Sequence, residues 1–318
     1  MPCYEPIFGR LRQTPNGIKG RALFDKKDAD MFYYSGKWPE HQRVIGFPAE
    51  MLLSVPFKCR KCYGCKKERA RQWSIRCVHE ASLYERNCFV TLTFNNPALK
   101  ERGHRSVDRA DVQKFIKRLR KRFVGVKIRT YYAAEYGKID RRPHYHILLF
   151  NIDFDDKVYL KKTDAGSVLY TSETLSQLWR YGYHSIGALT PESAAYCAQY
   201  TLNKMCPHEL KKYGLRPEFQ GFSNRPGLGK QWLEQNWKEV YPLDECVVDT
   251  YKQKPPEYYD RIFKTISEPI LREVKAKRLE QAEKNKENST YARLQVRLKI
   301  AIAKSKMFSR GAVTQAYA

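Results

Sequence analysis

His144 and His146, in Pro143-His144-Tyr145-His146-Ile147-Leu148-Leu149-Phe150, are the side chains of this sequence best spaced to hold a cation. Residues two apart on a β-strand share a face, so both imidazoles point the same way and can offer two ligands to one divalent ion. The chain has only seven histidines, which makes such a pair informative. A pair of hydrogen-bonded histidines on a half-buried strand is the ordinary alternative. Glu135, in Tyr132-Ala133-Ala134-Glu135-Tyr136-Gly137, would lie across from the pair if the two segments form a hairpin. A mixed imidazole and carboxylate set leaves positions open for phosphate oxygens. It suits Mg²⁺ or Mn²⁺, of which Mn²⁺ tolerates imidazole better. The alternative for Glu135 is a solvent-facing carboxylate near a turn.

A second group of residues could supply a nucleophile. In Tyr196-Cys197-Ala198-Gln199-Tyr200-Thr201-Leu202-Asn203-Lys204, positions four apart lie on one face of a helix. Ala194, Ala198, Thr201, Leu202 and Met205 form an apolar stripe, and Tyr196 and Tyr200 fall nearly opposite it, flanked by Asn203 and Lys204. Tyrosines that fill a core belong inside the stripe, although surface tyrosines are common. A phenol, with a reference pKa near 10, is a poor nucleophile at neutral pH. A cation on a phosphodiester would stabilise the charge of the transferring group, and Lys204 would favour phenolate. Attack would displace a 3′-hydroxyl and leave a 5′-phosphotyrosine whose ester energy allows rejoining.

The cysteines read separately. Cys59, Cys62 and Cys65 are spaced so that several thiolates can reach one ion, and a closed tetrahedral zinc site needs a fourth ligand. Cys3, Cys77 and His79 are the candidates, with Cys3 preferred; free thiols in a basic loop are the alternative. Nine cysteines is an odd number, and the start Met1-Pro2-Cys3-Tyr4-Glu5 lacks the apolar region of a secretory signal. A disulfide framework is not expected, and a cytoplasmic protein is.

The elements that must position these groups follow from pattern. Cys88 to Phe94 reads as a strand stopped by Asn95-Asn96-Pro97. Asp108 caps a helix with Val112, Phe115, Ile116, Leu119 and Phe123 at helical spacing and a basic outer face. Val126–Tyr136 and His144–Phe150 read as a hairpin, Glu68–Tyr84 and Leu175–Tyr181 as helices. Thr190 caps a further helix with Pro191 at its first position, running to about Met205. Residues 1 to about 58 read as loops and short extended pieces, and 207 to about 256 as loop-rich. The end, Arg261 to Lys306, is basic and rich in helix formers, although Leu294 to Ile302 alternates. The expected class is α+β, an antiparallel β-sheet with flanking helices. The expected divisions are an N-terminal Cys-containing region at 1–85, a core at 86–206 and a basic, partly helical C-terminal extension at 207–318.

Lysine and arginine number 59 against 34 acidic residues among 318, a formal charge of +25. Charge of this size spread along the chain points to a polyanion, since each neutralised phosphate releases a counterion. The 22 tyrosines and 15 phenylalanines offer faces on which unpaired bases can stack. A mean hydropathy of −0.67, with no run of roughly 20 apolar residues, excludes an integral membrane protein of the helical kind.

Phe89-Val90-Thr91-Leu92-Thr93-Phe94, then Pro143-His144-Tyr145-His146, then Tyr196-x3-Tyr200 resemble the three ordered motifs of HUH replication initiators. They most resemble the two-tyrosine type of small isometric single-stranded DNA phages, the gokushovirus replication proteins. The likeness extends to Cys59-x2-Cys62-x2-Cys65 and Arg71-Gln72-Trp73-Ser74-Ile75-Arg76-Cys77 and covers residues 55–206. The resemblance implies an HUH/Rep-like palm domain and rolling-circle initiation by nicking and rejoining single-stranded DNA at an origin. It implies metal at His144 and His146 and nucleophiles at Tyr196 and Tyr200. A host replication helicase and polymerase would be further partners, and a bacterial cytoplasm the setting. One departure is that Asn203 stands where related sequences often have lysine, with Lys204 following. Rival readings are a plasmid initiator, relaxase or transposase of the same superfamily, or a non-catalytic, zinc-stabilised nucleic-acid-binding protein.

Overall fold

The computed structural model describes residues 3–14, 17–23, 52–137, 140–164, 166–199 and 207–313. These fall into two compact units, one of residues 1–68 with 281–306 and one of 69–280 with the C-terminal remainder.

In the first unit the expected extended pieces are strands β1 (Ile7–Thr14), β2 (Gly17–Leu23) and β3 (Leu52–Phe57). They pair as an antiparallel sheet in the order β2-β1-β3. Tyr4, Cys62 and Leu294 form a small buried cluster with Leu298 and Ala301 packed on it, so segments far apart in sequence share one core.

The second unit is built on a seven-stranded sheet in the order β10-β5-β6-β4-β9-β8-β7, antiparallel at every pairing. Its strands are β4 (Asn87–Phe94), β5 (Arg129–Tyr136), β6 (Pro143–Phe150), β7 (Lys157–Lys162), β8 (Val168–Ser172), β9 (Gly182–Ala188) and β10 (Phe219–Phe222). The α+β class with an antiparallel sheet and flanking helices is thus the fold of the chain.

β4 shows how sequence positions the layers. Cys88, Val90, Leu92 and Phe94 are buried and alternate with half-buried Phe89, Thr91 and Thr93. The first set faces the helix Arg109–Arg122, whose Val112, Phe115, Ile116 and Leu119 complete the larger core. Asp108 caps that helix, its carboxylate accepting from the Ala110 amide at 2.9 Å. On the opposite face Tyr131, Ala133, Leu148 and Phe150 pack with Ala70, Trp73 and Cys77 of one helix and Ala194, Cys197 and Ala198 of another. Those helices are Tyr63–Ala81 and Pro191–Gln199. The first begins five residues before the expected Glu68, at the edge of the cysteine cluster.

Several elements differ from the sequence expectation. Val126–Ile128 is not strand; Gly125, at φ +84°, turns the chain there, and β5 starts at Arg129. β7 and β8 were not legible because every residue of β7 is exposed, which erases the alternation that reveals a one-sided strand. The loop-rich stretch after 207 contains β10, only four residues long, and the helices Pro207–Lys212 and Lys230–Val240. Strands β11 (Cys246–Val248) and β12 (Tyr251–Gln253) follow as a hairpin. Leu233, Val240 and Tyr241 then pack with Tyr259, Phe263, Leu271 and Val274 in a third core. The alternating stretch Leu294–Ile302 is helical, within Tyr291–Val313. No helix among the described residues is long and apolar enough to cross a membrane.

Candidate functional site

Directly opposed residues of an antiparallel pair share a face, and the register of three strands fixes what meets here. Glu135 of β5 stands opposite His144 of β6, and His144 opposite Thr93 of β4. One step along, Ala133, His146 and Thr91 form the next row. The Thr91 hydroxyl lies 3.1 Å from His146 Nδ1, and the Thr93 hydroxyl 3.0 Å from His144 Nδ1. Both imidazoles therefore have Nδ1 engaged. His146 Nε2 meets Glu135 Oε1 at 2.8 Å, both groups being buried. Burial, and then the neighbouring His146, hold His144 below the usual imidazole pKa, with Glu135 opposing. His144 is therefore a neutral nitrogen donor at neutral pH. A Cβ at Gly137 would stand 2.8 Å from His144 Nε2, so glycine there keeps that edge of the ring clear.

The helix Pro191–Gln199 brings Tyr196 to these rings. Its start is reciprocally capped: the Ser193 amide donates to Thr190 Oγ1 at 3.2 Å and the Thr190 amide to Ser193 Oγ at 2.8 Å, as in a capping box. Pro191 occupies the first position, where its missing N–H costs nothing. Ala194, Cys197 and Ala198 are fully buried against the sheet, and Cys197 Sγ contacts the carbonyl of His146 at 3.6 Å. Tyr196 projects beside this face and is 38% exposed. Its ring stands edge-on to the His146 imidazole, 5.4 Å between centroids, and edge-on to Phe89 at 6.2 Å. Tyr200, Asn203 and Lys204 lie outside the described residues.

Around this centre, Arg142 is tied down by three partners. It donates to the Phe94 carbonyl at 2.8 Å, to Asn96 Oδ1 at 2.7 Å and to Asp140 at 2.9 Å. Tyr183 of β9 stands opposite Thr93, so the row runs Glu135, His144, Thr93, Tyr183, ending in an exposed phenol. Sequence reasoning did not single out Thr91, Thr93, Gly137 or Tyr183 as part of a site. The two threonines carried a usable signal: polar residues at alternate positions of an otherwise apolar strand.

The cysteines meet in the first unit. Cys3, Cys59, Cys62 and Cys65 hold their sulfurs mutually within 4.8 Å, a set that can bind a metal ion. Two amides donate into it, Cys59 N to Cys3 Sγ at 3.3 Å and Cys62 N to Cys59 Sγ at 3.2 Å. Of the three fourth-ligand candidates, Cys3 is the one in the cluster. Cys77 is buried in the sheet-facing core, and His79 stacks on Trp232 with ring centroids 3.5 Å apart. Among the described residues this is the one set of three or more potential ligands so compact. The His144, His146 and Glu135 donors are of the right kind for a divalent ion but are drawn together as a hydrogen-bonded pair with a third donor beside it.

The sheet and the motifs upon it belong to a recognised class. The sequence profile of the family "Replication-associated protein ORF2/G2P" matches residues 87–205, the span from β4 to just past the Tyr196 helix. Three phage proteins align over most of the chain. The replication-associated protein ORF2 of Spiroplasma virus 4 is 37% identical over 221 residues, 65% of this chain and 67% of that one. The replication-associated protein VP4 of Bdellovibrio phage phiMH2K is 32% identical over 67% of this chain and 69% of its own. The replication-associated protein ORF4 of Chlamydia phage 1 is 28% identical over 70% and 57% respectively. The chain belongs to this family, the replication-associated proteins of gokushovirus-type phages. No solved structure matches it.

Proposed function

We propose that the protein is a replication initiator that nicks single-stranded origin DNA by tyrosine transesterification and rejoins the ends during rolling-circle replication. The observation that carries this reading is the edge-on approach of Tyr196 to His146 on the face that also presents His144 and Glu135. A phenol beside an imidazole and carboxylate set is the arrangement required if a phosphodiester is to lie between nucleophile and cation. In the reaction the Tyr196 oxygen forms a bond to phosphorus as the bond from phosphorus to the 3′-oxygen breaks. The phenol proton passes to solvent and the 3′-oxygen leaves as a hydroxyl. Attack by that hydroxyl on the phosphotyrosine reverses the step. Tyr200 would be the second nucleophile and Lys204 the cation that favours phenolate, on residues beyond those described.

His144, His146 and Glu135 would hold Mg²⁺ or Mn²⁺. When bound, the ion supplies charge stabilisation at the non-bridging phosphate oxygens. The chain's own part is to present a neutral imidazole at His144, which burial keeps unprotonated, and to hold both rings by the threonine hydroxyls. The cysteine cluster would hold a structural Zn²⁺, since four thiolates suit a closed tetrahedral site. The expected partners are origin-bearing single-stranded DNA and the host replication helicase and polymerase, in a bacterial cytoplasm.

The test is incubation with origin-bearing single-stranded DNA and Mn²⁺, followed by a search for a covalent protein–DNA adduct that survives SDS. Tyr196→Phe with Tyr200→Phe is expected to abolish the adduct while DNA binding persists. A fully active double variant removes the nucleophile assignment, and binding without any adduct in the unaltered protein favours a non-catalytic nucleic-acid-binding role.

A further inference from the structure

At the end of β5 opposite Glu135, the sheet opens into a cleft of about 570 Å³ whose rim carries Arg120, Lys127 and Arg225. All three are exposed; among the described residues none forms an ion pair with a carboxylate, and Arg120 donates to the Ile128 carbonyl at 3.4 Å. The cleft is built by fixed elements. One wall is the end of the helix Arg109–Arg122 and the turn after it; the other is Ser223, Asn224 and Arg225, which follow β10. Ser223 continues the ladder, its Oγ accepting from the Thr130 amide at 3.0 Å and its amide donating to the Thr130 carbonyl at 2.9 Å. Arg129 forms the floor, and its charge is met by buried Glu80 while it donates to the Pro226 carbonyl at 2.8 Å. Neutralisation of the floor leaves the rim cations as the net charge of the cleft, above hydroxyl and amide side chains.

We propose that this cleft is a second DNA contact, one that holds backbone phosphates of the strand flanking the scissile position and leaves the chemistry to the other end of β5. The inference rests on the nicking reading for the identity of the ligand. Polycationic rims with small polar side chains match phosphate oxygens, which accept from guanidinium, ammonium, hydroxyl and amide donors alike. The distance follows from the strand: Arg129 and Glu135 are six residues apart on β5, roughly 20 Å at ~3.4 Å per residue. That is about six nucleotides of a single strand stacked at the ~3.4 Å helical rise, beyond the three that flank the scissile position in the shorter oligonucleotide below. DNA engaged at His144 and His146 would have to extend about that far to reach the rim.

Lys127→Glu with Arg225→Glu, and the milder Lys127→Gln with Arg225→Gln, test this on the full chain, with binding read by fluorescence anisotropy. Two oligonucleotides share the scissile sequence, one with three nucleotides on each side and one with about ten more on each side. The double variants are expected to bind the long DNA about tenfold more weakly at low salt. Their log affinity against log salt should be shallower by about 1.5, the counterions of two lost phosphates. Affinity and adduct yield on the short DNA stay at the unaltered level. Equal losses on both lengths, or no loss on either, overturn the second contact; the latter result would leave the cleft to an acidic protein partner. Because binding is scored without chemistry, a protein that yields no adduct still gives a decisive answer here.

Discussion

At the scale of single residues, the threonines beneath the imidazoles hold both rings at Nδ1 while leaving the tautomer free. With Glu135 Oε1 at 2.8 Å from His146 Nε2, the carboxylate accepts from that nitrogen, and the Thr91 hydroxyl faces Nδ1 at 3.1 Å. Coordination at Nε2 needs the other tautomer, in which Nδ1–H donates and the same hydroxyl accepts. A hydroxyl serves both states; a carbonyl or an amide would fix one. Thr91→Val with Thr93→Val keeps the shape and deletes this adaptability. It is expected to raise the Mn²⁺ concentration for half-maximal adduct formation by about 10–100-fold, with metal-free DNA binding unchanged. An unaltered Mn²⁺ dependence would show that the hydroxyls do not orient the rings. The histidine pair was legible from spacing alone because a two-residue period is unambiguous on a strand. The threonines' role was not, since it depends on the pairing register of β4 with β6.

At the scale of elements, the junction between Cys59 and the helix Tyr63–Ala81 gathers four thiols at a helix start. Cys62 precedes that helix and Cys65 lies in its first turn, where the macrodipole stabilises negative charge. Burial pushes the thiol pKa of Cys3 up and that of Cys65 to about 11. At Cys62 burial is outweighed by hydrogen bonds from the Cys65 and Tyr4 amides, which hold it below its usual value. Cys62 is therefore the readiest thiolate, and a bound metal would draw the proton from the others. The purified protein is accordingly expected to carry about one Zn²⁺ per chain, lost in Cys62→Ser with Cys65→Ser. Stripping by a chelator should expose the 1–68 unit to protease before the sheet unit; full-length protein with no zinc, equally resistant before and after chelation, removes the proposal. Strongly one-sided elements such as β4 and the helix Arg109–Arg122 were readable in advance because burial writes its period into the sequence. β7, exposed on both faces, and four-residue β10 carry no such period, and only their partners make them strands. The fourth ligand was open among three for the same reason: the sequence states spacing along the chain, whereas Cys3 joins Cys62 from 59 positions away.

At the scale of the whole molecule, a chain of charge +25 is expected to be most easily unfolded at acid pH, where further positive charge accumulates. One buried group gives that tendency a specific window. His79 lies in the third core's border, stacked on Trp232, with Nδ1 2.9 Å from the Tyr259 hydroxyl and Nε2 3.4 Å from the Val247 carbonyl. Burial pushes its pKa down to about 4 from 6.5, the Val247 carbonyl opposing weakly. Below pH 6.5 the unfolded chain binds a proton that the folded chain refuses, so stability rises with pH across this window. The contribution is complete above pH 6.5, drains as pH falls toward about 4, and amounts to about 3 kcal/mol over the interval. His144 and His184, also held below their ordinary values by burial, titrate in the same direction, so the test must isolate one ring. His79→Gln keeps an amide able to meet the Tyr259 hydroxyl but cannot titrate. Its urea midpoint is expected to sit below that of the unaltered protein at pH 7.5, through lost stacking, and to fall less steeply between pH 6.5 and 4.5. Parallel midpoint curves across that range would mean that the acid sensitivity of the fold arises elsewhere.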